Sequence, residues 1–438
     1  DEAGLTTVTA VDFKGNVLDT SRRVIADAPI LAVFQPAPAN GWKVTPFQVD
    51  WQPGPQQSIS DRERELLEST AYQTTASYDA VNRVKHMQLP KDVEGTRREV
   101  RPVYNRAGGL EQVRLNDTVF VERIAYDAKG QRALIAYGNG VMTRYAYDQR
   151  TFRLKRLRSE RYTKPNDLSY RPGGEVLQDV GYDYDLAGNI LAIRDRTPDS
   201  GIPDSQLGTN GLDRRFVYDA IYRLLSATGR ECDRPAEGNP WLDQPRCTDL
   251  TKARAYTERF TYDAMGNLLR LEHRNDPGGF TRAFAHQTTN NRLLTMKIGE
   301  ETFAYTYDAS GNMRSETTSR HFEWNHSDQM KTFSVKTEGA EPSVHAHYLY
   351  DSTGQRVKKL VRKQGGQVDV THYIDGVFEH HRRSGGSQAG ENNHVHVMDD
   401  QQRIALVRIG QAHPDDRGPA VQFHLGDHLG SRDRKSVV

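Results

Sequence analysis

Cysteine is almost absent from this chain of 438 residues, which contains only Cys232 and Cys247. A dense disulfide framework of the kind that holds small secreted domains together is therefore excluded. The chain has no run of 18 or more apolar residues, which excludes a membrane-spanning helix. Neither sign of charge dominates, because 59 Lys and Arg residues stand against 58 Asp and Glu residues. This balance gives no reason to expect a nucleic-acid or acidic-membrane partner.

Apolar residues are also scarce, at 36% of the chain, and the mean hydropathy is −0.77. This composition argues against a large conventional core surrounded by helices. Disorder is excluded as well, because 20 Tyr, 14 Phe and 4 Trp are too many aromatics for a solvated segment. With 36 Gly and 19 Pro, the composition favours many short strands joined by tight turns.

A short phrase that begins with Tyr-Asp recurs along the chain and is the strongest signal in the sequence. The later copies begin at Tyr218, Tyr262, Tyr307 and Tyr350, which are 44, 45 and 43 residues apart. Earlier copies at 104, 126 and 147 are 22 and 21 residues apart. The basic unit is therefore about 21–22 residues, the length of one β-hairpin with its return. The residues assigned to the repeat turns are Tyr184, Asp185, Gly188, Tyr262, Asp263, Gly266, Tyr307, Asp308, Gly311, Tyr350, Asp351 and Gly354.

The phrase Tyr262-Asp-Ala-Met-Gly-Asn-Leu268 shows why each copy should form a turn. Asp at the first turn position and Gly at the fourth are typical of a type I turn with a bulge. The Asp side chain can accept a hydrogen bond from a backbone N–H two residues later. Hairpins in series can pair edge to edge and bury one face together. An ordinary β-sandwich is the alternative, but its turns do not repeat one signature.

These phrases resemble the YD repeats of Rhs (rearrangement hot spot) proteins, and more closely those of the B and C components of bacterial insecticidal toxin complexes. The stretch from Tyr218 to Arg230 is similar to a characteristic segment of that group, as is the stretch from Val395 to Val407. Phe423-His-Leu-Gly-Asp-His-Leu-Gly-Ser431 looks like the opening of the Rhs-associated core. The resemblance covers almost the whole chain.

The resemblance implies an all-β fold, in which a long antiparallel ribbon of hairpins spirals into part of a hollow YD-repeat shell. It also implies a secreted bacterial protein whose shell encloses its own C-terminal toxin domain. Other toxin-complex or secretion-system subunits are the further partners that it implies. The self-cleavage site and the toxin of the family would lie beyond residue 431, so no catalytic residue is assigned and no enzymatic activity is expected. Extracellular adhesion or carbohydrate binding is the alternative function.

The sequence divides into an N-terminal part (1–75), the repeat region (76–380) and the start of the Rhs-associated core (381–432). Residues 433–438 read like a translated sequencing adapter and are interpreted as an artefact. The N-terminal part contains a hairpin, a proline-rich loop and a capping box at Ser60-Asp-Arg-Glu63, which predicts a short helix near 61–69. Loops are expected near 164–175, 197–213, 232–250 and 385–393.

Few residues suggest chemistry. Cys232 and Cys247 could form a disulfide, and two free thiols are the alternative. His345-x-His347 and His394-x-His396 each place two imidazoles on one face of a strand. Neither pair has an obvious local carboxylate or Cys ligand, so polar residues on a sheet face are the preferred interpretation. We expect no metal and no cofactor.

Overall fold

The computed structural model describes residues 1–438 except 40, 198–211, 233–252, 276–277, 318, 338, 387–388, 400–401, 415, 417, 428–431 and 438. The chain divides into two compact units. Unit 1 comprises residues 1–123 and 306–438, and unit 2 comprises residues 124–305.

The described residues form thirty strands, which we number in chain order. They are β1 (Gly4–Val11), β2 (Val17–Val24), β3 (Tyr72–Tyr78), β4 (Val84–Lys91), β5 (Arg97–Tyr104), β6 (Leu110–Leu115), β7 (Thr118–Tyr126), β8 (Arg132–Tyr137), β9 (Val141–Tyr147), β10 (Leu154–Asn166), β11 (Ser169–Tyr184), β12 (Ile190–Asp195), β13 (Arg214–Tyr218), β14 (Leu224–Cys232), β15 (Ala253–Tyr262), β16 (Leu268–Asn275), β17 (Gly279–His286), β18 (Leu293–Ile298), β19 (Glu301–Tyr307), β20 (Met313–Glu316), β21 (Arg320–Trp324), β22 (Met330–Val335), β23 (Val344–Tyr350), β24 (Arg356–Lys363), β25 (Val368–Ile374), β26 (Phe378–Ser384), β27 (Gly390–Met398), β28 (Arg403–Gly410), β29 (Val421–Gly426) and β30 (Arg432–Val437).

Antiparallel pairing joins strands that follow one another in the chain. In unit 2, β15 pairs with β14 and with β16, so its two edges are both occupied. In unit 1, β25 pairs with β24 and with β26 in the same way. Within each unit the described strands therefore form a ribbon of hairpins, which the Tyr-Asp periodicity predicts. Because each such strand has a neighbour on both sides, its backbone N–H and C=O groups find partners without help from helices.

Helices are short and confined to the N-terminal part. They are α1 (Asp27–Leu31), a 3-10 turn (Ala32–Phe34) and α2 (Ile59–Leu66). The predicted helix near 61–69 thus begins two residues earlier and ends three residues earlier than expected. Its cap was also misassigned to Ser60: the Ser58 hydroxyl accepts from Asp61 N at 3.1 Å, and the Asp61 carboxylate accepts from Ser58 N at 3.0 Å. Helix α1 was not predicted.

One predicted loop is largely strand, and a second is strand in part. The segment 164–175 belongs to the long hairpin of β10 and β11, whose turn is only two residues. The segment 385–393 contributes its last four residues to β27. Gly and Pro in these segments suggested loops, but pairing with a neighbouring strand stabilises them as extended chain. The loops expected near 197–213 and 232–250 lie mostly outside the described residues.

Each unit has its own apolar core. In unit 2, Leu157, Val180, Tyr182 and Ile193 form one buried cluster. In unit 1, the N-terminal segment covers one face of the strands β23 to β26. That contact buries side chains from both partners, namely Ile25, Ile30, Leu66, Leu360 and Phe378. The proline-rich segment takes part, since Phe47 lies edge-on against His347 at 6.1 Å.

Candidate functional site: the turn ladder and the N-terminal clamp

The turn after β15 shows what the repeated phrase does. The Asp263 carboxylate accepts from the backbone N–H groups of Met265 at 2.9 Å and Asn267 at 2.8 Å. Its second oxygen accepts from the Asn267 side chain at 2.8 Å. The hydrogen bond from Asn267 is the main reason why the pKa of Asp263 is lowered. Gly266 has φ +90°, a conformation that side chains with a Cβ rarely adopt.

The other assigned turns share this geometry. Asp185, Asp308 and Asp351 each accept two or more hydrogen bonds from the turn that they begin, and each of the three turns contains a glycine at positive φ. Strand pairing shifts register at Tyr184, Tyr262 and Tyr350, which is the signature of a β-bulge.

The tyrosine of each phrase has a role that its sequence position does not reveal. The Tyr262 hydroxyl donates to the backbone carbonyl of Leu224 at 2.8 Å. Leu224 is the first residue after the preceding turn, so the tyrosine binds its own hairpin to the one before it. The same backward bond recurs along the chain, with Tyr78 to Val17, Tyr147 to Arg132, Tyr184 to Leu154, Tyr218 to Ile190 and Tyr350 to Met330, at 2.7–3.2 Å.

The last residue of several turns forms a second link, in the forward direction. Arg223 donates to the carbonyl of Asp263 at 2.9 Å, and Arg153 donates to the carbonyl of Asp185 at 2.7 Å. Shorter side chains do the same where they can reach: Asn312 donates to Asp328, and Gln329 donates to the carbonyl of Gly354. We call this row of linked turns the turn ladder.

One turn of the ladder escaped the sequence analysis because its first two residues differ. Trp324-Asn-His-Ser-Asp-Gln329 replaces Tyr-Asp with Trp-Asn and Gly with Asp328 at φ +57°. The Trp324 indole N–H nevertheless donates to the carbonyl of Met313 at 2.7 Å, as the tyrosine hydroxyl does elsewhere. The signal that could have found it is its place between the phrases at Tyr307 and Tyr350.

A buried ionic group joins the N-terminal segment to the strands of unit 1. Lys358 on β24 is fully buried, and its Nζ lies 2.6 Å from Asp27 Oδ1 and 3.2 Å from Glu68 Oε1. Arg382 on β26 contacts the same two carboxylates at 2.6 and 2.8 Å. Two cations and two anions therefore balance in a site where Lys358 is fully buried and the other three side chains are partly exposed. We call these four residues the N-terminal clamp.

Polar aromatic contacts extend the clamp. The Tyr72 hydroxyl lies 2.8 Å from His372 Nδ1 and 2.6 Å from His380 Nδ1, so it donates to one ring and accepts from the other. Burial, followed by the charges of Lys358 and Arg382, holds the pKa of His372 well below its usual range. Burial raises the pKa of Glu68, but the hydrogen bond from Arg382 and the charge of Lys358 more than reverse this, and the net shift is downward.

The first histidine pair lies beside the clamp on β23. His345 packs edge-on against Phe34 at 5.0 Å, and His347 packs against Phe47. Burial lowers the pKa of His345 to about 4 and that of His347 to about 3. Both rings are therefore neutral at pH 7, and they fill space under the N-terminal segment.

The remaining predicted residues are distributed as follows. Cys232 ends β14, whereas Cys247 lies outside the described residues, so the disulfide stays a prediction. His394 and His396 lie on β27, next to Glu379. Two tryptophans of the N-terminal part have partners within the chain: Trp51 donates to the carbonyl of Asp1, and Trp42 lies under Arg362. No helix of the described chain has the length and apolarity to span a membrane.

Comparison with known proteins adds a second line of observation. No family model matches the chain. The toxin subunit YenC2 of Yersinia entomophaga is 26% identical over 437 residues, which cover 93% of this chain and 40% of YenC2. The toxin subunit YenC1 of the same organism is 24% identical over 359 residues, which cover 80% of this chain and 35% of YenC1.

The fold of this chain matches the folds of solved structures over nearly its whole length. A crystal structure of TcdB2-TccC3-Cdc42 matches 99% of this chain and 19% of that chain, with a TM-score of 0.80 and 21% identity. The Photorhabdus luminescens Tc holotoxin pore matches 99% of this chain and 19% of that chain, with a TM-score of 0.79 and 22% identity. This chain is similar to toxin-complex subunits.

The resemblance to the B and C components of toxin complexes is thereby confirmed, and so is the all-β class of antiparallel YD-repeat ribbon. At these identities the solved structures establish the fold alone. The chain spans about two fifths of the length of the curated toxin-complex subunits that it matches.

Proposed function

We propose that this chain forms a section of the wall of a secreted bacterial toxin-complex subunit, and that the wall encloses a C-terminal toxin domain of the same polypeptide. The observation that carries the proposal is the similarity to YenC2 over 93% of the chain, together with the matching fold. Under this proposal the other toxin-complex subunits are assembly partners, and the chain itself catalyses no reaction and needs no cofactor.

The turn ladder supports a role as a wall. A sheet that must hold a cargo away from its host has to resist opening between neighbouring hairpins. The backward bond from Tyr262 and the forward bond from Arg223 each cross such a boundary. A hydrogen bond of this kind contributes about 1 kcal/mol, and the contribution is repeated along the turn ladder. Strands with partners on both sides also expose few edges on which another chain could pair.

The N-terminal clamp supports the same role in unit 1. Residues near 27 and 68 are fastened to residues near 358 and 382, about 300 positions later in the sequence. Removing one member of the clamp leaves a buried charge without its counter-charge, which is energetically costly. The clamp therefore holds the N-terminal segment firmly over its strands.

Protease protection tests the proposal. The polypeptide encoded by the whole gene is expressed with the region 1–431 intact, and in parallel with that region deleted. Trypsin is added, and the domain that follows residue 431 is followed by immunoblotting. We expect that domain to persist only when the wall is intact, because the wall excludes the protease. Equal cleavage in both proteins would contradict the proposal.

A point variant distinguishes two reasons why the cargo could resist trypsin: exclusion of the protease by the wall, and the stability of the cargo domain itself. Lys358→Met removes one cation of the N-terminal clamp, and we expect it to accelerate cleavage of the cargo. Arg64→Ala is the matched control, because this arginine lies on α2 of the same segment with a largely exposed side chain. Identical cleavage rates in the two variants would argue against a wall closed by the clamp.

A further inference from the structure

A second set of histidines lies on the opposite face of the strands that carry the clamp. Side chains alternate between the faces of a strand. His380 and Arg382 on β26 therefore point toward the N-terminal clamp, while Glu379 and His381 point away from it. His394 on β27 stands directly opposite Glu379 in the pairing register.

Three donor atoms converge on this face. Glu379 Oε2 lies 2.9 Å from His381 Nε2 and 3.9 Å from His394 Nδ1. One ligand atom from each of the three residues falls within 4.8 Å of the other two. Zinc bound tetrahedrally by nitrogen and oxygen at about 2.0–2.2 Å requires donors roughly 3.3–3.5 Å apart. The observed separations bracket that value, and the side chains are only partly buried, so an ion from solution can reach them.

The outer contacts of the two rings are those that metal-binding histidines make. His394 directs its second nitrogen, Nε2, toward Asp416 Oδ1 at 3.5 Å. His381 directs its second nitrogen, Nδ1, toward the Thr371 hydroxyl at 3.2 Å. Such partners fix the tautomer and the orientation of a ligating ring.

The outer residues are themselves held in place. Asp416 accepts from the Asn392 side chain and from His413 N, both at 2.8 Å. On the other side, His396 Nε2 lies 3.2 Å from Glu379 Oε1. With Oε1 occupied in this way, Glu379 presents Oε2 toward His381 and His394.

We propose that Glu379, His381 and His394 bind a divalent transition-metal ion, with Zn²⁺ as the best match to two imidazoles and one carboxylate. Asp416, Thr371 and His396 orient the three ligands. The ion joins β26 to β27 and, through Asp416, also holds His413 beside them. The site does not depend on the proposed function of the chain.

The sequence predicts no metal because the pair His394-x-His396 has no obvious local carboxylate ligand, although Asp399 and Asp400 are nearby in the sequence. The structure supplies one from the neighbouring strand. A similar group on the clamp face, Asp27, Glu68 and His372, is not a second candidate. The ammonium group of Lys358 already lies between its two carboxylates.

The test uses the whole chain without a polyhistidine tag, stripped with a chelator and then titrated with ZnCl₂ in a calorimeter. We expect saturable binding of one ion per chain. Visible absorption after Co²⁺ loading then reports the coordination geometry, and an excess of Zn²⁺ should abolish it. The absence of saturable Zn²⁺ binding by the unmodified chain would overturn the proposal, whatever the variants do.

Variants identify the ligands. Glu379→Gln and His381→Gln should weaken binding at least about 100-fold, and Asp416→Asn about 10-fold, since outer partners typically contribute 10- to 100-fold. His86→Gln is the matched control, because His86 lies on β4 and contacts a single carboxylate, that of Glu99, at 2.6 Å. Far-ultraviolet circular dichroism verifies that each variant is folded. Unchanged affinity in folded Glu379→Gln and His381→Gln would place the ion elsewhere and overturn the assignment.

Discussion

At the scale of the residue, the tyrosine of the repeated phrase matters more for its hydroxyl than for its ring. Its aromatic ring suits the end of a strand, but a phenylalanine would suit that place equally well. The hydroxyl reaches the carbonyl that opens the preceding hairpin, and Trp324 supplies the same donor from an indole. A hydrogen-bond donor at this position is what the repeats share.

Tyr262→Phe should therefore destabilise the protein by about 1 kcal/mol, because it removes the donor to Leu224 and keeps the ring. Tyr222→Phe is the control, since Tyr222 is 58% exposed and stands within the preceding turn rather than at its entrance. Urea unfolding followed by circular dichroism measures both. A loss in Tyr222→Phe as large as that in Tyr262→Phe would show that the backward bond has no particular role.

The sequence accounts for the turn residues and not for their links. Asp, Gly and Asn at fixed spacing predict the turn because the hydrogen bonds that close the turn are local. The bond from Tyr262 to Leu224 joins residues 38 positions apart. Whether a hydroxyl reaches a particular carbonyl depends on strand register, which one phrase considered alone does not specify.

At the scale of the element, α2 shows how a single hydroxyl sets where a helix begins. Both Ser58 and Ser60 precede acidic residues at the spacing of a capping box. Only Ser58 forms one, with Asp61. Starting the helix at residue 59 places Leu66 in the core of unit 1, and that tertiary packing decides between two sequence signals of similar strength.

Ser58→Ala should cost about 1 kcal/mol of folding stability, because it leaves the N–H of Asp61 without its acceptor. Ser60→Ala should change stability by only a few tenths of that amount, since Ser60 lies inside the helix. Chemical denaturation of the two variants measures the difference. A larger loss in Ser60→Ala would show that the helix begins where the sequence first suggested.

The N-terminal clamp belongs to the same scale, because it joins α1 and the residues that follow α2 to β24 and β26. Lys358→Met should destabilise unit 1 by about 3 kcal/mol, since it leaves Asp27 and Glu68 buried with Arg382 as their remaining cation. Lys359→Met is the control, because the adjacent side chain points to the other face of β24. Equal denaturation midpoints for the two variants would contradict the importance of the clamp.

At the scale of the whole molecule, the ribbon of hairpins could be predicted from the sequence. The packing of the N-terminal segment on strands β23 to β26 could not. Regular spacing of turns predicts a continuous antiparallel sheet because each hairpin requires only its neighbour. The contacts of Tyr72 with His372 and of Asp27 with Lys358 span 300 residues or more. No periodicity relates such residues, and the six prolines near Phe47 indicated only an irregular loop.

The buried histidines make the stability of the molecule depend on pH. The pKa values of His345 and His347, about 4 and 3 in the folded state, lie below the value of about 6.5 expected when the chain is unfolded. The unfolded chain therefore binds more protons, and stability falls as the pH drops below 6.5. At pH 5 each ring should reduce the free energy of unfolding by about 2 kcal/mol relative to pH 7.

His347→Gln tests this dependence, because glutamine does not titrate. The loss of stability between pH 7 and pH 5 should be about 2 kcal/mol smaller in this variant than in the unmodified chain. Guanidinium denaturation at the two pH values measures it, with the exposed His86→Gln as the reference. An unchanged loss in His347→Gln would show that folding does not lower the pKa of this ring.

The distance in sequence across the N-terminal clamp also sets the order in which the molecule is made. Asp27 and Glu68 leave the ribosome long before Lys358 and Arg382, and the separation of 290 residues between Glu68 and Lys358 takes roughly 15–60 s to synthesise. During that time the repeats of unit 2 can pair as they emerge. The strands that pack against the first helices have not yet been synthesised. Nascent chains would hence pass through a stage in which Asp27, Glu68 and Tyr72 are exposed to solvent. We expect a chaperone that binds the nascent chain to bind this N-terminal segment.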